Sequence, residues 1–133
     1  MFSHVTVGCR DIEKAVAFYD AILGPVDLKR RVVTPDGGPP VACWVEPDRT
    51  LPRFYVYMPF NQKPATAGNG SMVAFSAPSI AAVDAAYAAG IDAGGTDEGA
   101  PGPRSHYGIG YYGAYLRDPD GNKVHVVYRG DLL

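Results

Sequence analysis

Residues 72–90, MVAFSAPSIAAVDAAYAAG, read as a strand, a helix cap and a helix in direct succession. Met72 to Ala77 alternate with a two-residue period. Pro78-Ser79 then opens a helix through Ile80, Val83 and Tyr87, and Gly90 ends it. The same order has already occurred once, in residues 2–24, FSHVTVGCRDIEKAVAFYDAILG, with the strand at 2–9. There the alternating strand is followed by Asp11 as an N-cap, by Ile12, Ala15, Val16, Tyr19 and Leu23 at helical spacing, and by Gly24-Pro25 as a stop. Sliding the chain on itself by 68 residues places Val5 on Val73, Ile12 on Ile80, Ala17 on Ala85, Tyr19 on Tyr87 and Ala21 on Ala89. Alanine matches between Ala-rich helices carry little weight. That strand, cap and helix fall in register together carries much.

Strand-like runs follow each helix. In the first half they lie near 26–33, 41–46 and 54–58, separated by Pro/Gly turns. In the second, the Gly/Pro-rich stretch 94–103 reads as a loop, and runs at 111–117 and 123–128 flank Asp118-Pro-Asp-Gly121, the clearest hairpin in the chain. The prediction is one α+β domain over 1–133 made of two βαβββ modules, 1–60 and 71–133, joined by a linker at 61–70. Neither half is large enough to bury its sheet alone, so the two should form a curled mixed sheet around one cavity.

Bulk properties narrow the function classes. The chain has 133 residues, 47% apolar and 20% charged, with a net charge of −2, which is globular composition. Lys29-Arg30-Arg31 is the one basic run, and it reads as a solvated strand edge, so nucleic acid is not an expected partner. Two cysteines are too few for a disulfide framework, and Cys9 falls in an apolar alternation as a small hydrophobe. With no basic segment leading into an apolar run, and no apolar stretch of about 18 residues, the expectation is a soluble cytoplasmic protein without a membrane partner.

The alternation also assigns faces. Val5, Val7 and Cys9 should turn toward the helix and His4, Thr6 and Gly8 away from it; Val73, Phe75 and Ala77 match the first set, Met72, Ala74 and Ser76 the second. His4 and Met72 are therefore equivalent positions, with small neighbours that leave room for a ligand. In the last strand Lys123, His125 and Val127 share a face, and the 68-residue offset puts Tyr57 opposite His125. Trp44, Tyr55, Tyr57, Phe60, Tyr107, Tyr111, Tyr112 and Tyr115 could wall a cavity for a flat ligand, although sheets favour such residues in any case. Gly108 and Gly110 lack the accompanying pattern of a phosphate loop, and no serine sits in a nucleophile elbow.

The βαβββ repeat, the His-bearing first strand, the helix AVAFYDAILG (15–24) and the closing DPDGNKVHVV (118–127) together resemble the vicinal oxygen chelate superfamily. That group contains glyoxalase I, extradiol dioxygenases, fosfomycin resistance proteins and bleomycin-binding proteins. The likeness covers the whole chain and is greatest to short bacterial glyoxalase-like proteins, through GGTDEGAPGPRSHYGIGYYGAYLRDPDGNKVHVV (94–127).

The resemblance implies metal-ligating positions on the first and last strands of each half, which map to His4, Tyr57, Met72 and His125. His4 and His125 suit Zn²⁺, Ni²⁺, Fe²⁺ or Cu²⁺, whereas a thioether and a neutral phenol do not; the cofactor implied is one divalent metal, Zn²⁺, Ni²⁺, Fe²⁺ or Mn²⁺. His106 could complete a three-histidine set with His4 and His125 if its loop folds inward. No mapped position carries the carboxylate base of glyoxalase I chemistry, which argues against lactoylglutathione lyase activity. Two readings stay open. One is a metal-assisted lyase, isomerase or dioxygenase-related enzyme acting on a small oxygenated metabolite, with His125, His4 and Tyr57 as catalytic groups. The other is a metal-free binding or sequestering protein of the bleomycin-resistance type. In both, Met72, His106, Tyr107, Tyr55, Trp44 and Lys123 contact the ligand, and the resemblance implies a homodimer.

Overall fold

Alternation decides which side of each strand is buried, and one helix covers that side in each half. In the computed structural model, which describes residues 1–133, β1 (His4–Gly8) leads to α1 (Ile12–Leu23) and a short 3₁₀ turn at Gly24–Val26. Asp11 caps α1 by accepting the backbone N–H groups of Glu13 and Lys14. β2 (Lys29–Arg31), β3 (Val41–Val45) and β4 (Arg53–Tyr57) complete a sheet of order β1-β4-β3-β2. The second half repeats it with β5 (Met72–Ser76), α2 (Ile80–Asp92), β6 (Thr96–Pro103), β7 (Tyr111–Arg117) and β8 (Lys123–Arg129), in the order β5-β8-β7-β6. In each sheet the first and last strands run parallel and the remaining pairs antiparallel. Both βαβββ modules are present, and the sheets are curled without closing.

Three local expectations change. Residues 96–103 form a strand despite their glycines and prolines, because shifts of register at Asp97/Gly99 and Gly99/Gly102 let them keep pairing with β7. β2 is only three residues long, since the preceding segment is taken up by the Pro25 turn. Gly90 does not stop α2 but lies inside it, where α1 and α2 cross. A Cβ there would sit 2.7 Å from Cγ2 of Ile22.

The two helix sides share one core. Phe18, Tyr19, Ile22 and Leu23 of α1 meet Val83 and Ala86 of α2, between Trp44, Phe54 and Val56 of one sheet and Leu116, Val124 and Val126 of the other. Phe54 and Phe75 join the halves edge to face, centroids 5.0 Å apart.

The DPDGN turn adds a polar clasp to this core. Asp118 is buried; its Oδ1 accepts the N–H groups of Asp120 and Asn122, and its Oδ2 accepts the Tyr19 hydroxyl (2.7 Å) and the Asn122 amide (2.8 Å). Asn122 also donates to the carbonyl of Gly8 (2.8 Å), and Asp120 accepts from the N–H of Arg10. A motif expected only to turn a hairpin therefore binds the second module to the first.

Candidate functional site

Strand pairing, rather than sequence offset, shows which positions of the two halves correspond. Thr6 faces Tyr55 across β1 and β4, and Ala74 faces His125 across β5 and β8. Tyr55 is thus the counterpart of His125, and the Tyr57 assignment is corrected by two residues. The second helix and the segment between it and the last strand are each one residue longer than in the first half, so an offset that holds across β1 and the start of α1 no longer holds at β4. By the same pairing His4 faces Arg53, and Met72 faces Lys123.

The side of each sheet away from the helices is its open face. On the second sheet His125 is buried there at 1% exposure. Its Nδ1–H donates to the carbonyl of Ala114 (2.8 Å), which can only accept, so in the neutral ring Nε2 accepts from the Tyr111 hydroxyl (2.8 Å). The imidazole stacks on Tyr115 at 4.0 Å with an interplanar angle of 8°, and on Tyr111 at 5.8 Å and 17°. It fits because residue 113 is glycine: a Cβ there would lie 2.4 Å from its Cε1. Burial lowers the His125 pKa below the ordinary histidine value, and the nearby charges of Arg104 and Lys123 act in the same direction against the Ala114 hydrogen bond.

The stack extends outward. Tyr111 packs on Tyr107 (5.1 Å) and Tyr107 on His106 (4.1 Å), so five rings run across this face, edged by cations. Arg104 and Lys123 lie over Tyr115 at 5.7 and 5.2 Å, and Arg129 over Tyr111 at 5.0 Å.

On the first sheet the open face carries His4, Thr6, Arg53, Tyr55, Tyr57, Cys43, Lys29 and Arg31. His4 is exposed, takes a 3.0 Å hydrogen bond between Nδ1 and the Ser3 hydroxyl, and meets Tyr55 edge to face at 5.5 Å. Arg53 is held by Thr50 O (2.9 Å, from Nε) and the Tyr55 hydroxyl (3.3 Å, from Nη1). Burial raises the Cys43 pKa, while Tyr55, Arg53 and Arg31 pull it back down; Tyr55 and Arg31 flank Cys43 across the two neighbouring strands.

Trp44 is not part of this face. It is buried against Tyr19 and Phe54 and donates to Asp20 (3.0 Å), because its neighbours Cys43 and Val45 take the open side. His106 is exposed at the far end of the ring row, with Tyr107 and Tyr111 between it and His125. No three His, Cys, Asp or Glu side chains come together to hold a metal ion anywhere in the chain. The principal clefts follow loops and seams. Two of about 860 and 930 Å³ lie beneath residues 35–40, and one of about 280 Å³ lies between β1 and β5, where Thr6 and Gly8 meet Met72 and Lys123. None of the principal clefts is lined by both His4 and His125.

Arg53, Gly113 and Tyr111 as the partner of His125 were not singled out in the sequence. The signal for Arg53 was present: RFYVY (53–57) and KVHVV (123–127) both place a cation before an apolar alternation, and only a second offset was needed to see it.

A family model described as Glyoxalase/Bleomycin resistance protein/Dioxygenase superfamily matches residues 1–126. Among solved structures, a glyoxalase/bleomycin resistance protein from Albidiferax ferrireducens is 42% identical at a TM-score of 0.82, covering 97% of this chain and 98% of that one. A family enzyme from Burkholderia phytofirmans shares the fold at 23% identity and a TM-score of 0.67, with 95% of this chain and 96% of that one covered. A glyoxalase I variant from Zea mays is 26% identical at a TM-score of 0.69 over 94% of this chain, which spans 45% of the plant protein. A comparison with curated protein sequences returns no match. No helix is long and apolar enough to cross a membrane.

Proposed function

The chain belongs to the glyoxalase/bleomycin resistance protein/dioxygenase superfamily, and from that premise we propose that it is a metal-independent member that binds a small organic molecule on the open faces of its sheets. The observation that carries this reading is the state of His125. Both of its nitrogens are engaged within the protein, and its ring is buried in a stack. Its counterpart by strand pairing is Tyr55, and the other two positions that the family resemblance assigns to a metal, equivalent to each other on the first strands of the halves, are His4 and Met72. A thioether and a phenol are poor donors to a borderline divalent ion, and no carboxylate accompanies them. The residues present do not fit the divalent metal used by many members of the superfamily.

Such a site works by orientation. Tyr55, Tyr57 and the Tyr111–His125–Tyr115 stack offer flat apolar surface. The His4 imidazole, the phenols and the cations at the edges supply polar contacts that fix a ligand's pose. A homodimer fits the same reading, because Phe2 and Tyr107, 78% and 59% exposed, leave apolar surface for a second copy to cover; sedimentation velocity tests it directly. The two buried, unpaired cysteines suit a reducing, cytoplasmic setting.

A metal-assisted enzyme is the second reading, and one contact favours it. A histidine that ligates a metal donates its other N–H to a carbonyl or carboxylate, as the Nδ1–H of His125 does to Ala114. Elemental analysis separates the two. Protein purified without chelators, then incubated with Zn²⁺, Ni²⁺, Fe²⁺ or Mn²⁺ and desalted, should retain well under one metal per chain. One equivalent that is lost in His4→Ala overturns the binding reading in favour of the enzyme.

A further inference from the structure

The distribution of charge is lopsided in a way the net charge of −2 hides. Seven of the twelve Lys and Arg residues lie in strands: Lys29, Arg30, Arg31, Arg53, Arg117, Lys123 and Arg129. Of the fourteen Asp and Glu residues only Asp97 and Glu98 do, both on β6. Arg30 pairs with Asp20, Arg117 with Glu98 and Arg129 with Asp131, whereas Lys29, Arg31, Arg53 and Lys123 have no carboxylate partner. Three of those four share the open face of the first sheet, where Arg31 lies in the row of Cys43 and Tyr55, and Lys29 in the row of Val45.

Arg53 is the best placed of them. It is half-buried beside His4, and its Nε and Nη1 are tied to Thr50 O and the Tyr55 hydroxyl. Nη2 makes no hydrogen bond within the protein, so the fork is oriented but its outer N–H groups are free. A guanidinium held in this way has lost most of the rotamer freedom that binding would otherwise have to remove. Two carboxylates in the neighbouring loops have partners of their own. Asp36, which borders the Tyr57 end, accepts from the N–H of Gly38, and Glu46 faces Arg49. The repeat places a second cation, Lys123, at the position of Arg53 in the other sheet.

We propose that the open face of the first sheet takes a small organic oxyanion, its negative group on Arg53 with Arg31 and Lys29 beside it and its apolar body against Tyr55 and Tyr57. The proposal rests on the small-molecule reading above and specifies its ligand class. Carboxylate and phosphate share the chemistry, since both accept paired N–H donors from a guanidinium.

The test is a titration of the ¹⁵N-labelled full chain with benzoate, phenyl phosphate and neutral benzamide, followed by amide shifts and repeated with R53Q and R31Q. Benzoate or phenyl phosphate should move the resonances of residues 4–8 and 53–57, and preference for either supports the proposal while naming the oxyanion. R53Q should weaken that binding about tenfold or more, R31Q severalfold, and raising the salt from 50 to 500 mM should weaken it again. Because Arg31 is exposed, R31Q keeps the test open should R53Q fail to fold. Benzamide binding as tightly as benzoate, or R53Q and R31Q binding benzoate like the parent, overturns the anion assignment while the small-molecule reading stands. If none of the three probes moves resonances on either sheet, both fall.

Discussion

The hydroxyl of Tyr19 donates a 2.7 Å hydrogen bond to the carboxylate of Asp118, and both residues are buried. The bond reaches from the first helix to the last turn and so ties one module to the other. Tyr19→Phe leaves the carboxylate short of one donor, and a hydrogen bond to a charged group contributes about 1.5–3 kcal/mol. Urea unfolding should show a loss in that range. Tyr87 holds the equivalent place in the second helix, but its bond to Asp97 is exposed. Tyr87→Phe should cost much less, and equal losses in the two variants would contradict the clasp.

A side chain at position 113 should evict the imidazole of His125. The Cβ of Gly113→Ala would lie 2.4 Å from its Cε1, with Val126 O at 3.2 Å on another side, so the ring has to move. Overpacking of this kind costs about 1–3 kcal/mol. In NMR spectra the His125 ring resonances should lose the upfield shift imposed by Tyr115. An unchanged ring environment in the variant would contradict the packing described.

Stability should fall on acidification through His125. Its folded pKa lies below the ordinary value of 6.5, first through burial, so the unfolded chain binds the proton more readily. The contribution is complete above about pH 6.5 and is lost as pH drops toward the folded value. Urea midpoints measured from pH 8 to pH 5 should decline for the parent and decline less steeply for His125→Gln. Parallel profiles would show that this residue is not the source.

Neither thiol should react readily in the folded protein. Burial, assisted by Asp120, Asp118 and Asp11, pushes the Cys9 thiol up to about 11, and burial raises Cys43 as well. At pH 8 an aromatic disulfide reagent should modify the native protein at least about a hundredfold more slowly than the urea-unfolded chain. Rapid release of one equivalent from native protein would place a cysteine at the surface.

The repeat, both helices and the sides of β1, β5 and β8 were legible in the sequence because their signals are periodic and local. Trp44 was misplaced since aromatic content alone does not say which side of a strand a residue takes, although the Cys43–Val45 alternation around it does. The Tyr55/Tyr57 error has a different cause. A shift of two residues preserves a period-two pattern completely, so apolar alternation cannot detect it, and only backbone pairing between strands does. The hydrogen bonds of His125 and the clasp of Asp118 join residues distant in sequence, and no local pattern marks them.

The drift between the halves also sets rules for recombining them. A chain that doubled one module, or exchanged last strands between modules, has to be spliced where Arg53 meets Lys123. Spliced at the 68-residue offset, every inward side chain would still point inward, yet each would be displaced by one pleat, about 6.7 Å along the strand. Such a chimera could retain its hydrophobic pattern and lose its ligand. Crossover points in this architecture are therefore set by the ladder between strands and not by likeness between sequences.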